Sequence, residues 1–325
     1  MVMTSHCREN STNNLAFKIP PTYYSSMTKR ENQVALIRKH SRPAAPLRPD
    51  LPPPFASLLD KPLPRRPRAY LLDVYGTLFT SASGDISLAG NQDRAAAVAA
   101  AFSCCGLDAP GKKDTQTLSR EFRSAIEAAH AELRERGVEC PEIDVRAIWQ
   151  RAFSAAETAL PAELVEDFAL CYELHANPVW PMPQADHLLA GLRTRNLPMG
   201  IVSNAQFYTP QLFPALLGGT LRELGFRSEF CAFSFEYGSA KPGSALFAPP
   251  LAALAALGID SSQVVYVGND MLNDIVAAHR AGCMTVLYAG DRRSLRLRED
   301  NKGAQAVLPN SVVRALARVL TVSES

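Results

Sequence analysis

The chain has 325 residues, 47% of them apolar, with 34 Lys/Arg against 32 Asp/Glu. That length allows two domains of roughly 100–200 residues each, with enough apolar side chain for a sizeable core. Residues 1–68 hold twelve basic residues against four acidic ones while the remainder is mildly acidic, which argues against a nucleic-acid-binding body.

Nothing resembles a secretory signal, and no stretch reaches the roughly 18 consecutive apolar residues of a membrane span. The seven Cys show no C-x-x-C spacing, so neither a zinc site nor a disulfide framework is expected. A reducing cytoplasm is the simplest compartment. Residues 1–66 are predicted to be a disordered basic tail, because eleven of the 24 prolines lie within residues 1–67 and oppose helix and sheet alike. Met27 offers an alternative start within it.

From Ala69 a short apolar run predicts a buried strand that ends at Asp73. Ser81-Ala82-Ser83-Gly84-Asp85 reads as an exposed loop. Residues 92–176 then carry helical periodicity throughout, in Ala95–Phe102, Leu118–Leu133, Ile143–Ala156 and Ala162–Leu174. The proline-rich turn 178–183 closes this block. Strands follow at Pro198–Val202, Phe230–Phe235, Val264–Val267 and Met284–Tyr288, with a short one near Val307. Helices alternate with them, including Tyr208–Leu224 and Ser244–Leu257. Such alternation predicts an α/β fold, a doubly wound parallel sheet. Residues 67–90 and 178–325 would form that core, and 91–177 an inserted all-helical cap.

Polar residues stand at four strand ends: Asp73, Ser203-Asn204, Lys241-Pro242 and Gly268-Asn269-Asp270 with Asp274. In a parallel sheet these ends share one edge, where ligands bind. A carboxylate fixed there can act as a covalent nucleophile. A hydroxyl, an amide and a cation can hold the group under attack, and a further acidic pair offers hard oxygen donors to Mg²⁺. The competing reading makes Asp73 a plain turn acceptor and Asp270 or Asp274 a charge favoured by a helix N-terminus. His130, His175, His187 and His279 lack metal-ligand spacing and read as structural; Arg120 and Arg123 read as solvated.

This ordered set resembles the haloacid dehalogenase superfamily of hydrolases across roughly residues 69–290, including the helical block between the first and second motifs. The resemblance implies a Rossmann-like core, with Asp73 as a nucleophile that forms an aspartyl intermediate. It implies Thr77, Ser203 and Asn204 around the transferred group, and Lys241 neutralising that group and ordering Asp73. A Mg²⁺ site would draw on Asp73, the Tyr75 carbonyl, Asn269, Asp270 and Asp274.

The pattern departs at two places. Phosphatases of the superfamily resemble D-x-D-G-T, whose second Asp is the general acid; here Tyr75 stands there, as in the 2-haloacid dehalogenases, which need no metal. A phenol with a pKa near 10 donates a proton but is a poor base at neutral pH. Asn269 also replaces the usual first Asp of an otherwise phosphatase-like fourth motif. The expectation is a hydrolase for a small phosphate monoester, slightly ahead of carbon–halogen hydrolysis of a 2-haloacid. A third reading is a catalytically weak member that binds a phosphorylated ligand or a protein partner. The expected partner is a small-molecule substrate, not nucleic acid or membrane, and no motif speaks to oligomeric state.

Overall fold

The computed structural model describes residues 28–80 and 91–324. Residues 1–27 of the expected tail, Met27 among them, and the 81–85 loop lie outside the described residues.

Residues 28–66 correct the expectation of disorder. Lys29–His40 form a helix, α1. Thr28 and Glu31 make a reciprocal capping box at its start, and Ile37 is fully buried, which together fix where the helix begins and which face it buries. Arg38 donates to the carbonyls of Pro214 and Ala215 at 2.7 and 2.9 Å, and Asn32 donates to Asp167 at 3.0 Å. Beyond α1 the proline-rich chain makes one short helical turn, Pro53–Ala56, and is held from outside: Asp60 N–H donates to the Val312 carbonyl, and Leu63 N–H to that of Val322. Composition registers the missing helix and strand potential of such a segment, and it is blind to these distant partners.

The first strand, β1 (Ala69–Leu72), is buried at every residue, as a strand covered on both faces must be. Four longer helices separate it from the next strand: α2 (Asn91–Cys104), α3 (Lys112–Glu135), α4 (Val145–Ala155) and α5 (Val165–Ala176). Their inward faces meet in an aromatic cluster. Phe122 stacks on Trp149 at 3.9 Å between centroids, and Phe168 packs edge-on against both Trp149 and Phe102. A disulfide, Cys104–Cys171, joins α2 to α5, contrary to the expectation from spacing. Residues 67 positions apart pair here because two helices pack, which no local spacing rule can register.

The alternation then resumes with α6 (Ala185–Thr194), β2 (Met199–Ser203), α7 (Thr209–Leu216) and β3 (Phe226–Phe233). It continues through α8 (Ala248–Ala255), β4 (Val264–Gly268), a π-helical turn Met271–Val276 leading into α9 (Ala277–Arg280), and β5 (Met284–Tyr288). The chain closes with β6 (Ser311–Val313) and α10 (Arg318–Val322). The helix expected over 208–224 ends at Leu216, just before Gly218-Gly219. The last strand lies at 311–313 rather than near Val307, because Asn301 caps a helical turn over Lys302–Gln305 instead.

All the strands pair in parallel, in the order β3-β2-β1-β4-β5-β6. The order runs outward in both directions from β1, so the crevice of a doubly wound sheet opens at the carboxyl ends of β1 and its neighbours. Register fixes the depth of that crevice: Leu72 stands opposite Ile201 on one side and Val267 on the other. Asp73, Ser203 and Gly268 therefore leave the sheet at nearly the same level.

Candidate active site

Asp73 follows β1 directly, its N–H donating to the Val267 carbonyl at 3.0 Å. The chain turns at once, with the Val74 carbonyl accepting the N–H groups of both Leu78 and Phe79 at 2.9 Å. Gly76 sits at φ +93, and a Cβ there would lie 2.4–2.5 Å from side-chain atoms of Asn269. Backbone conformation and close approach both demand glycine. Gly76→Ala is expected to lose about 1–3 kcal/mol of stability and to depress activity with it; an unchanged thermal midpoint would contradict the turn geometry.

The two oxygens of the buried Asp73 carboxylate are treated differently. Oδ1 accepts from Ser203 Oγ at 2.9 Å and from Lys241 Nζ at 2.8 Å. Oδ2 accepts one long bond, from Thr77 Oγ1 at 3.3 Å. Oδ1 is thus anchored by a hydroxyl and a cation, and Oδ2 is the oxygen with lone pairs to offer.

Lys241 Nζ also donates to Asp274 Oδ1 at 2.6 Å and to Tyr266 Oη at 2.7 Å. Burial works against its charge, but the carboxylates of Asp274 and Asp73 outweigh that and hold the ammonium above the ordinary lysine range. Burial likewise lifts Asp274 to about 6, with the Lys241 charge opposing and Asp73 adding to the rise. The other oxygen of Asp274 accepts the backbone N–H groups of Asn269 and Asp270, each at 2.9 Å. A Cβ on Gly268 would meet this carboxylate at 2.4–2.5 Å, so a glycine again lets an acid reach backbone.

Several predicted residues have other tasks. The Asn204 amide brackets the Lys241 peptide, accepting from Lys241 N–H at 2.7 Å and donating to the Lys241 carbonyl at 3.1 Å. It positions the lysine. Tyr75 shares a 2.9 Å hydrogen bond with Thr209 Oγ1, and burial pushes its phenol well above the usual phenol range, which removes it as a base. Tyr75→Phe is expected to keep kcat/KM within a few-fold, whereas a loss of about 100-fold or more is what removal of an acid-base group costs.

The residues for Mg²⁺ do not fit the expected site. Asp270 accepts the N–H groups of Leu272 and Asn273 at the start of the π-helical turn and is held by the Arg298 guanidinium at 2.6 Å. Asp274 is engaged at both oxygens, as above. Asn269 brings a neutral amide, which accepts from Thr77 Oγ1 at 3.0 Å and donates to the Ser294 carbonyl at 2.7 Å. Only Asp73 brings a carboxylate with an open oxygen. Among the described residues no group of three His, Cys, Asp or Glu side chains stands ready to hold a metal ion.

Tyr266 is the site residue that sequence reasoning missed. It lies inside β4, donates to the Val202 carbonyl at 2.7 Å and to Asp274 Oδ1 at 3.2 Å, and accepts from Lys241. Its one signal is a phenol amid the Val residues of a fully buried strand, where a hydroxyl needs a partner. Among the helices between β1 and β2, Arg120 is exposed and pairs with Glu121. Arg94 is buried and Arg123 half-buried, and both act electrostatically on the buried Tyr172 phenol.

The model of the haloacid dehalogenase-like hydrolase family matches residues 67–282. Similar solved structures include a HAD phosphatase from Thermococcus onnurineus, 17% identical, covering 79% of this chain and 98% of that one with a TM-score of 0.47. The 2-haloacid dehalogenase of Pseudomonas syringae pv. Tomato DC3000 is 18% identical over 78% and 97%, TM-score 0.47. The L-2-haloacid dehalogenase of Xanthobacter autotrophicus, with chloropropionic acid covalently bound, is 19% identical over 78% and 97%, TM-score 0.45. No curated protein matches the chain. Among the described residues no helix is long and apolar enough to cross a membrane. With its parallel sheet and the family match over most of its length, the chain belongs to the haloacid dehalogenase-like hydrolases.

Proposed function

We propose that Asp73 hydrolyses a small anionic substrate through a covalent ester, and that its leaving group departs without a proton. The observation that carries this reading is the unequal bonding of the Asp73 oxygens, with Lys241 and Ser203 on Oδ1 and only the long Thr77 bond on Oδ2. The substrate class that fits best is a 2-haloacid. Oδ2 attacks the carbon bearing the halogen, the carbon–halogen bond breaks, and halide leaves with the electron pair. Water then adds to the ester carbon of Asp73, placing negative charge on Oδ1, where Lys241 and Ser203 are already arranged to receive it. Collapse breaks the bond from the Asp73 carboxyl carbon to Oδ2; one proton of the water goes to the departing alkoxide, which leaves as the 2-hydroxyacid, and the other to solvent, restoring the carboxylate.

Halide needs no general acid, and Tyr75 supplies none. The helices over 91–177 act in this reading as the cap over a core of 67–90 and 178–325. A second reading, hydrolysis of a phosphate monoester, draws support from one observation: the Thr77 hydroxyl stands between Asn269 Oδ1 at 3.0 Å and Asp73 Oδ2 at 3.3 Å, which brings the fourth-motif residue to the nucleophile.

The assay is halide release from 2-chloropropionate beside phosphate release from a phosphomonoester panel, each with Mg²⁺ and with chelator. Halide release indifferent to chelator is expected. Mg²⁺-dependent phosphate release without halide release would overturn the carbon–halogen reading.

A further inference from the structure

Two cysteines and two histidines from three separate helices meet away from the Asp73 site. Cys104 ends α2, Cys171 and His175 lie one turn apart on α5, and His40 ends α1. His40 Nε2 stands 3.7 Å from Cys104 Sγ, and the two imidazole rings are 4.7 Å apart between centroids. His175 Nδ1 lies 2.7 Å from the Cys171 carbonyl, a bond that only an N–H can make. That fixes the tautomer and leaves Nε2 with its lone pair, as the outer hydrogen bond of a metal-binding histidine does.

Distances match the chemistry. A tetrahedral zinc ion with Zn–S near 2.3 Å and Zn–N near 2.0–2.1 Å sets a sulfur and a nitrogen ligand about 3.6 Å apart, close to the His40–Cys104 separation. The i, i+4 spacing of Cys171 and His175 puts both on one face of α5. With the disulfide closed the sulfurs are not thiolates, and the four side chains do not bind a metal.

We propose that His40, Cys104, Cys171 and His175 form a Cys₂His₂ site for a zinc-class divalent cation once the Cys104–Cys171 disulfide is reduced. A dithiol reductant supplies two electrons and two protons and is itself oxidised to a disulfide. Cys104 and Cys171 become thiols, and each releases its proton when its thiolate takes a place on the metal. The sulfurs need only separate to about 3.8 Å, the spacing of two thiolates on one tetrahedral zinc. The bound ion would then fasten α1, outside the family match, to two of the helices inserted between β1 and β2. Redox state would thus select between a covalent link of α2 to α5 and a metal link that includes α1.

The test uses the full chain, reduced with dithiothreitol and freed of it without air, then titrated with Co²⁺ as the optical probe. The expected result is one Co²⁺ per chain, with thiolate-to-cobalt charge-transfer absorption and the visible bands of a tetrahedral ion. Unreduced protein should show neither. Cys104→Ser and Cys171→Ser should remove the charge-transfer band, and His40→Gln and His175→Gln should weaken binding by more than about tenfold with unchanged far-UV circular dichroism. In parallel, Zn²⁺ should raise the thermal midpoint of the reduced chain but not that of His40→Gln. The proposal is overturned if reduced protein lacks the thiolate band, if the band survives in the double Cys variant, or if both His variants bind as tightly as the parent.

Discussion

Asp73→Asn is expected to abolish turnover, with kcat falling by about 10⁴-fold or more, the scale seen when a covalent nucleophile is removed. An amide oxygen at Oδ2 carries no negative charge and cannot displace a leaving group from carbon or phosphorus. The substitution is nearly isosteric, so loss of fold does not explain such a result. It also takes one of two negative partners from Lys241, whose Nζ lies between Asp73 at 2.8 Å and Asp274 at 2.6 Å. Asp274 still pairs the ammonium, and the variant should therefore fold. Retention of a tenth of the parent rate in Asp73→Asn would remove the mechanism.

The second large effect belongs to Lys241→Met. Its side chain is 2% exposed, and the Asp73 and Asp274 side chains beside it are 5% and 2% exposed. Removing the cation leaves two buried carboxylates facing each other, a loss of about 3–5 kcal/mol of stability, and takes the charge from Oδ1 that the ester step needs. The pH dependence follows in sign. Burial already lifts Asp274 above its ordinary range in the folded protein, where an unfolded aspartate has a pKa of about 3.9. Without the opposing Lys241 charge it titrates higher still. The folded state then binds a proton that the unfolded state does not, so stability falls as pH rises through the folded value and recovers toward pH 4–5. The thermal midpoint of Lys241→Met should rise more than that of the parent as pH drops from 8 to 5. A midpoint that changes no more than the parent's over that range would contradict the buried-pair account.

The site was legible where chemistry coincides with a strand end. Asp73, Ser203, Lys241 and Asp274 each follow a strand closely enough for the order of the sheet to bring them together, and they do meet around one ammonium. What escaped depends on partners far along the chain. Asp270 reads as a metal ligand until Arg298, 28 residues on, takes its carboxylate. Asn204 reads as a substrate donor until its amide closes on the Lys241 peptide. Tyr266 carries no charge and sits mid-strand, so its one mark in the sequence is a phenol amid the Val residues of a buried strand. In the fold, the periodic elements were readable, whereas α1 and the proline-rich chain to residue 66 owe their order to tertiary contacts that composition does not encode.

The central claim is that Asp73 itself forms the covalent bond to carbon, and single-turnover hydrolysis of 2-chloropropionate in ¹⁸O-water tests it most directly. With enzyme in excess, water that attacks the ester carbon leaves its oxygen in the protein. Mass spectrometry of the peptide bearing Asp73 should then show incorporation of ¹⁸O, while the first 2-hydroxyacid released carries ¹⁶O from the carboxylate. Label appearing at once in the product, with none in the Asp73 peptide, would contradict it.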